Sequence, residues 1–256
     1  MVGIRRTGAR TFGWTFLGAL ALALAGWPAA AEAQDGAAAW KAGKMFVPAS
    51  LSASGKSCES DVGGACVADI KPGRHPVIVF LHGCGGPRKP ASLVEQGAIV
   101  VAPNSFAGGA KCVADPVEIG KLITRRHGDV AYAAAQVKAA PWADPGRIVL
   151  AGFSNGGQTV AVYPGAEFKA RVIVAWTCTN PRRPEMNGVK GSEPVLAVLG
   201  SNDEFYKKIN IGGDCGSALS KRAGSSNVMI KGGGHEIIDH KETRDAATPF
   251  LAIVLK

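Results

Sequence analysis

The stretch Ile148-Val149-Leu150-Ala151-Gly152-Phe153-Ser154-Asn155-Gly156-Gly157 decides the fold. Four consecutive apolar residues are the pattern of a strand buried on both faces, as in a parallel sheet. They lead into G-x-S-x-G, and a segment long enough for a helix, Asn155 to Val162, leaves it. Glycine on both sides of Ser154 suits a strand-to-helix turn so tight that backbone segments crowd around a strained residue. The serine hydroxyl then projects above the sheet at a helix N-terminus, where developing negative charge is favoured.

Four more apolar runs of the same kind surround this one: Val77 to Leu81, Ile99 to Ala102, Val172 to Ala175 and Val195 to Leu199, with a weaker sixth at Asn227 to Lys231. Helix-length segments lie between them, at Leu93 to Gly97, His127 to Lys138 and Ala218 to Ala223. His240 to Leu255 has the apolar spacing of a closing amphipathic helix with a possible kink at Pro249. Alternation of this kind predicts an α/β fold, a doubly wound and mostly parallel sheet flanked by helices. Ligands in such sheets sit beyond the carboxyl ends of the strands, so those ends are where function is to be read.

The end of the Val77 run reads Leu81-His82-Gly83-Cys84-Gly85-Gly86, whose small residues let backbone N–H groups approach a substrate oxygen. The end of the Val195 run reads Gly200-Ser201-Asn202-Asp203-Glu204, with Asp203 preferred to Glu204 as the carboxylate. The sixth run ends in Gly232-Gly233-Gly234-His235. A serine nucleophile needs a base, and the base needs an orienting acid. Of the five histidines (75, 82, 127, 235 and 240) only His235 and His240 follow both the serine and the acid. His235 sits in a loop at a strand end, whereas His240 starts the last helix as a surface residue. His82 reads as a brace for its own loop.

These pieces, together with Asp144-Pro145-Gly146-Arg147 leading into the serine strand, resemble an α/β-hydrolase of the dienelactone-hydrolase-like group over roughly residues 72 to 255. Dienelactone hydrolases proper carry a cysteine at the turn where this chain has Ser154, so ordinary ester hydrolysis is the activity expected. The resemblance implies catalysis by Ser154, Asp203 and His235 through an acyl-enzyme. It implies oxyanion donors from the amides of Asn155 and Cys84 or Gly85, with no metal and no organic cofactor. The six cysteines are expected to pair as Cys84–Cys112, Cys178–Cys215 and Cys58–Cys66, the first two pinning the oxyanion loop and the acid loop.

The organisation expected is a signal peptide at 1–33, an irregular leading segment with edge strand or strands at 34–71, and the hydrolase domain at 72–256. Arg5, Arg6 and Arg10, then an apolar stretch from Phe12 to Ala25, then Ala31-Glu32-Ala33 give the basic, apolar and small-residue order of a cleaved secretory signal. The expected product is periplasmic or secreted, with no lasting membrane anchor. An even cysteine count in an exported chain favours disulfides.

The chain has 256 residues, 46% of them hydrophobic and 19% charged, which excludes an intrinsically disordered protein. Its formal charge of +9 falls to +7 once the three Arg and one Glu of residues 1–33 are removed. Arg125-Arg126, Arg182-Arg183 and Lys207-Lys208 are scattered, and without a nucleic-acid motif they read as solvated surface rather than a nucleic-acid site. His235-Glu236-Ile237-Ile238-Asp239-His240 imitates a zinc-protease motif, but its second His falls at i+5, about 140° around a helix from the first.

The Trp176 to Glu193 segment is too short for a substantial lid. An open site would admit polymer ends, so a cutinase-like or polysaccharide-side-chain (acetyl or feruloyl) esterase is the alternative to a small-ester hydrolase. Trp142, Trp176, Phe106, Phe153 and Phe205 are candidate pocket liners. An inactive binding protein on the same scaffold is a more remote reading.

Overall fold

The computed structural model describes residues 36–256 apart from 114, 180–187 and 210–214. The expected signal peptide and residues 180–187 of the segment where a lid would be inserted therefore lie outside the described residues, Arg182 and Arg183 among them.

Eight strands form one sheet in the order β2-β1-β4-β3-β5-β6-β7-β8. They are β1 (Lys44–Val47), β2 (Cys58–Asp61), β3 (His75–Leu81), β4 (Ile99–Ala102), β5 (Ala143–Phe153), β6 (Ala170–Val174), β7 (Val195–Gly200) and β8 (Ser226–Ile230). The six strands from β3 to β8 are mutually parallel, and β1 runs antiparallel to both β2 and β4. Of the leading segment's two strands, β2 takes the sheet edge and β1 lies inside it with Met45 to Val47 buried.

The central strands are apolar throughout because both faces are covered. Val77, Val79 and Leu81 belong to the core on one side of the sheet, whereas Ile78 and Phe80 belong to the core on the other. The helices Pro116–Ala139 and Asn155–Val162 cover the first face, and Lys241–Val254, which runs through Pro249, covers the second.

The helix expected from His127 begins eleven residues earlier, at Pro116. Asp115 caps it by accepting hydrogen bonds from the amides of Val117 and Glu118, and proline at the first helical position costs no hydrogen bond. This added length changes the reading of Arg126. Read from sequence as solvated surface, it has no exposed area, because the helix turns it inward beneath the ends of β3 and β5. Arg171, in β6, is also fully buried, with Glu193 and three backbone carbonyls around its guanidinium.

Chain order places the site. The chain leaves β3 for β4 on one side and returns to β5 on the other, so the ends of β3 and β5 flank a point where the winding reverses, and a crevice opens there. The oxyanion-loop sequence follows β3 and Ser154 follows β5.

Candidate active site

Ser154 has φ 55° and ψ −121°, a conformation that L-residues rarely adopt. Packing enforces it. The Ser154 amide donates to the carbonyl of Val174 in the neighbouring strand, and the turn is closed by glycines with no room for a side chain. A Cβ on Gly156 would lie 2.1 Å from the Leu81 carbonyl oxygen. The main chain of the β3 end thus touches the main chain of the first helical turn.

The loops after β7 and β8 meet in the same way. A Cβ on Gly200 would lie 2.2 Å from the Gly234 carbonyl oxygen, and the Asn202 amide donates to the carbonyl of Gly233 at 2.8 Å. This contact brings Asp203 and His235 together. Ser154 Oγ lies 2.8 Å from His235 Nε2, and His235 Nδ1 lies 2.7 Å from Asp203 Oδ2. Asp203 is buried, and its other oxygen accepts from the Phe205 amide at 2.9 Å. Glu204 is exposed at the start of the helix Glu204–Ile209, and His240 is exposed at the N-cap of the last helix.

Cys84 and Gly85 lie on the exposed turn after β3, and the amide of the next residue, Gly86, donates to the Gly83 carbonyl. Asn155 opens the helix after Ser154, so its amide has no carbonyl four residues back within the helix to bond. The disulfides join Cys58 to Cys66, Cys84 to Cys112 and Cys178 to Cys215, the partners that the sequence reading joins.

The His235-to-His240 stretch has a different use from metal binding. Arg88, downstream of the oxyanion loop, donates to Glu236 at 2.5 Å and to Asp239 at 2.9 Å, and Asp239 also accepts from the Ala91 amide. The two acids tie the histidine loop to the β3 side of the site. Sequence reasoning passes over Arg88, two residues beyond the His82-to-Gly86 loop, and takes Arg126 for solvated surface.

Of the five candidate aromatics, Phe205 is 58% exposed with its ring centroid 4.7 Å from that of His235. Phe153 is buried 5.3 Å from the same ring, and Phe106 packs edge-on against His82. Trp176 is buried beside Tyr206. Trp142 precedes β5, at the opposite end of the sheet, and packs against the core there.

His82 is wholly buried, and its Nε2 accepts the Ser105 amide at 3.2 Å. A backbone N–H can only donate, so the ring proton sits on Nδ1, which donates to the Gly83 carbonyl at 2.7 Å. Burial, with the Arg126 charge beside it, pushes the His82 pKa down to about 3. The ring is therefore a neutral brace for the loop.

A parallel sheet whose sharply turned serine meets a histidine and a buried aspartate from later strand ends is an α/β-hydrolase fold. The dienelactone hydrolase family model matches residues 63–228, more than half of the chain, and the protein belongs to that family. Membership makes it a carboxylic ester hydrolase. The match ends before His235.

Among solved structures, the chain is similar to esterase PE8, with 20% identity and a TM-score of 0.50 over 71% of this chain and 94% of that one. A protein of Klebsiella pneumoniae subsp. pneumoniae MGH 78578, titled as a dienelactone hydrolase, is 16% identical with a TM-score of 0.53, over 72% of this chain and 88% of that one. Thermogutta terrifontis esterase 2, phosphoramylated by tabun, is 17% identical with a TM-score of 0.53, over 73% and 86%. At these identities the likeness is one of fold. No curated protein matches the sequence.

Proposed function

We propose that the protein is an exported serine esterase that cleaves carboxylic esters through an acyl-enzyme on Ser154. The observation that carries the reading is the unbroken chain from Ser154 Oγ through His235 to Asp203, with contacts of 2.8 and 2.7 Å. In this mechanism His235 Nε2 takes the Oγ proton as Oγ adds to the ester carbonyl. The amides of Asn155 and of Cys84 or Gly85 receive the negative charge on the carbonyl oxygen. His235 gives the proton to the departing alcohol and then activates water against the acyl-enzyme. Asp203 holds the imidazole with Nδ1–H toward itself and stabilises its charged form.

Because Ser154 stands where dienelactone hydrolases proper carry cysteine, ordinary small esters are the expected substrates. A polymer-directed activity, cutinase-like or against acetyl or feruloyl side chains, is favoured by one feature: Phe205, an exposed aromatic face beside the catalytic base. Export is supported by the basic, apolar and A-x-A pattern of residues 1–33 and is compatible with the three disulfides. Among the described residues no helix is long and apolar enough to cross a membrane.

Hydrolysis of short p-nitrophenyl esters by the purified chain, lost in Ser154→Ala with the fold intact by circular dichroism, is the expected outcome. Equal turnover in that variant would refute the assignment. A panel of short and long acyl esters, feruloyl and acetylated sugars, lactones and polyester film separates the small-ester reading from the polymer one.

A further inference from the structure

The buried guanidinium of Arg126 touches Asn155, one expected oxyanion donor, and His82, at the base of the loop that carries the other. Its Nη1 donates to Asn155 Oδ1 at 2.8 Å, and its Nη2 lies 3.1 Å from His82 Nδ1. Since Nδ1 carries the ring proton, this second approach is a close packing of charge on imidazole rather than a hydrogen bond. The guanidinium also lies over the Phe106 ring, 5.6 Å from its centroid. Asn155 is thus held by its side chain from below while its main-chain amide faces the reacting carbonyl in the mechanism above. His82, in turn, fixes the Gly83 carbonyl, which also receives the Gly86 amide and so shapes the turn bearing Cys84 and Gly85.

A full positive charge in this position is costly to bury. Burial lowers the Arg126 pKa to about 10, which still leaves it charged at neutral pH, and Asp129, one turn along the helix, supports the charge. An apolar side chain would fill the space without that penalty, so a guanidinium in this position calls for a use. Interactions that act where charge develops in a water-poor site are worth more than the same interactions in water.

We propose that Arg126 is a positioning residue of the oxyanion hole: it sets the Asn155 amide through the Asn155 side chain, steadies the Cys84–Gly85 turn through His82, and adds a buried positive charge behind the developing oxyanion. The inference rests on the serine-esterase reading, and the test keeps the two apart.

Fluorophosphonate titration first counts reactive sites in the full chain. A parent protein that consumes no probe counts against the esterase reading itself. With a reactive parent, Arg126→Met is expected to lower kcat per titrated site about 10- to 100-fold, below the loss typical of deleting an oxyanion donor outright. KM should stay within about twofold, and affinity for a boronic acid, which forms a tetrahedral anion on the serine, should fall by the same factor as kcat. Arg126→Lys should recover part of the loss. Asn155→Ala keeps the backbone amide but removes the anchor, and it should reproduce the loss without adding to it in the double variant. The proposal is overturned if folded Arg126→Met keeps kcat per titrated site within twofold of the parent and loses only melting temperature. If Arg126→Met does not fold, Asn155→Ala decides alone: parental kcat there overturns the proposal, and a 10-fold or greater loss at unchanged KM supports it.

Discussion

On the β3–β5 side of Ser154 the support is buried side-chain chemistry: Arg126 and His82 have no exposed surface, the first bonding to the side chain of Asn155 and the second to the backbone of Gly83, beside the proposed oxyanion donors. On the β7–β8 side it is main chain on main chain, Gly200 against Gly233 and Gly234, with His235 left partly open to solvent under an exposed Phe205. The first arrangement suits groups that must meet a developing charge without moving. The second suits a base whose ring must exchange protons with an alcohol and then with water. Damage to the two sides should therefore show differently: in rate or acid stability on the first, and in triad geometry on the second.

The largest effect is expected from Asp203→Asn, which should lower kcat about 10³- to 10⁴-fold with the fold retained, whereas Glu204→Gln should stay near parental. Steady-state kinetics on a short ester distinguishes the two carboxylates. Next, Gly200→Ala should force the loops after β7 and β8 apart, since a Cβ there meets the Gly234 oxygen at 2.2 Å. We expect a loss of about 2–4 kcal/mol in chemical denaturation, together with lost activity.

A smaller effect tests the other side. A His82 held neutral to about pH 3 when folded, but protonated from about 6.5 when unfolded, leaves stability untouched above 6.5 and withdraws it as pH falls toward 3. The slope from this residue is about 1.4 kcal/mol per pH unit in that window. Denaturation curves at pH 7, 6, 5 and 4 should be less steeply pH-dependent in His82→Gln, and identical slopes would contradict the brace described here. The smallest effect is that of Phe205→Ala, expected to change stability by less than about 1 kcal/mol while raising KM several-fold for aromatic or polymeric esters alone. An equal change for acetyl esters would remove the argument for a polymer face.

Legibility in the sequence divides along the same line. The strands were readable because a doubly covered sheet demands unbroken apolar runs, and Ile99–Ala102 has the bounds that its composition suggests. Ser154, Asp203 and His235 each sit three or four residues past the end of a run, the last of them the weaker Asn227 to Lys231, so position and chain order were enough to choose them. Arg126 was hidden because the apolar spacing that drew attention begins at His127, and only a helix that starts well before it carries Arg126 onto the same buried face as Val130 and Ala133. That start is set by Asp115 and Pro116, outside the stretch whose apolar spacing drew attention. The leading segment looked irregular, yet its Lys44–Val47 strand is paired on both sides. A four-residue strand carries too little pattern to announce that. Arg88 with Glu236 and Asp239 spans about 150 residues of sequence, and no local signal joins such partners.

The proposed mechanism makes Ser154 the nucleophile, activated through His235. It is tested most directly by treating the purified chain with a fluorophosphonate probe and mapping the modified peptide by mass spectrometry. One adduct is expected, on Ser154, absent from Ser154→Ala and strongly slowed in His235→Ala. An unlabelled Ser154 in a folded protein that still hydrolyses esters would contradict it.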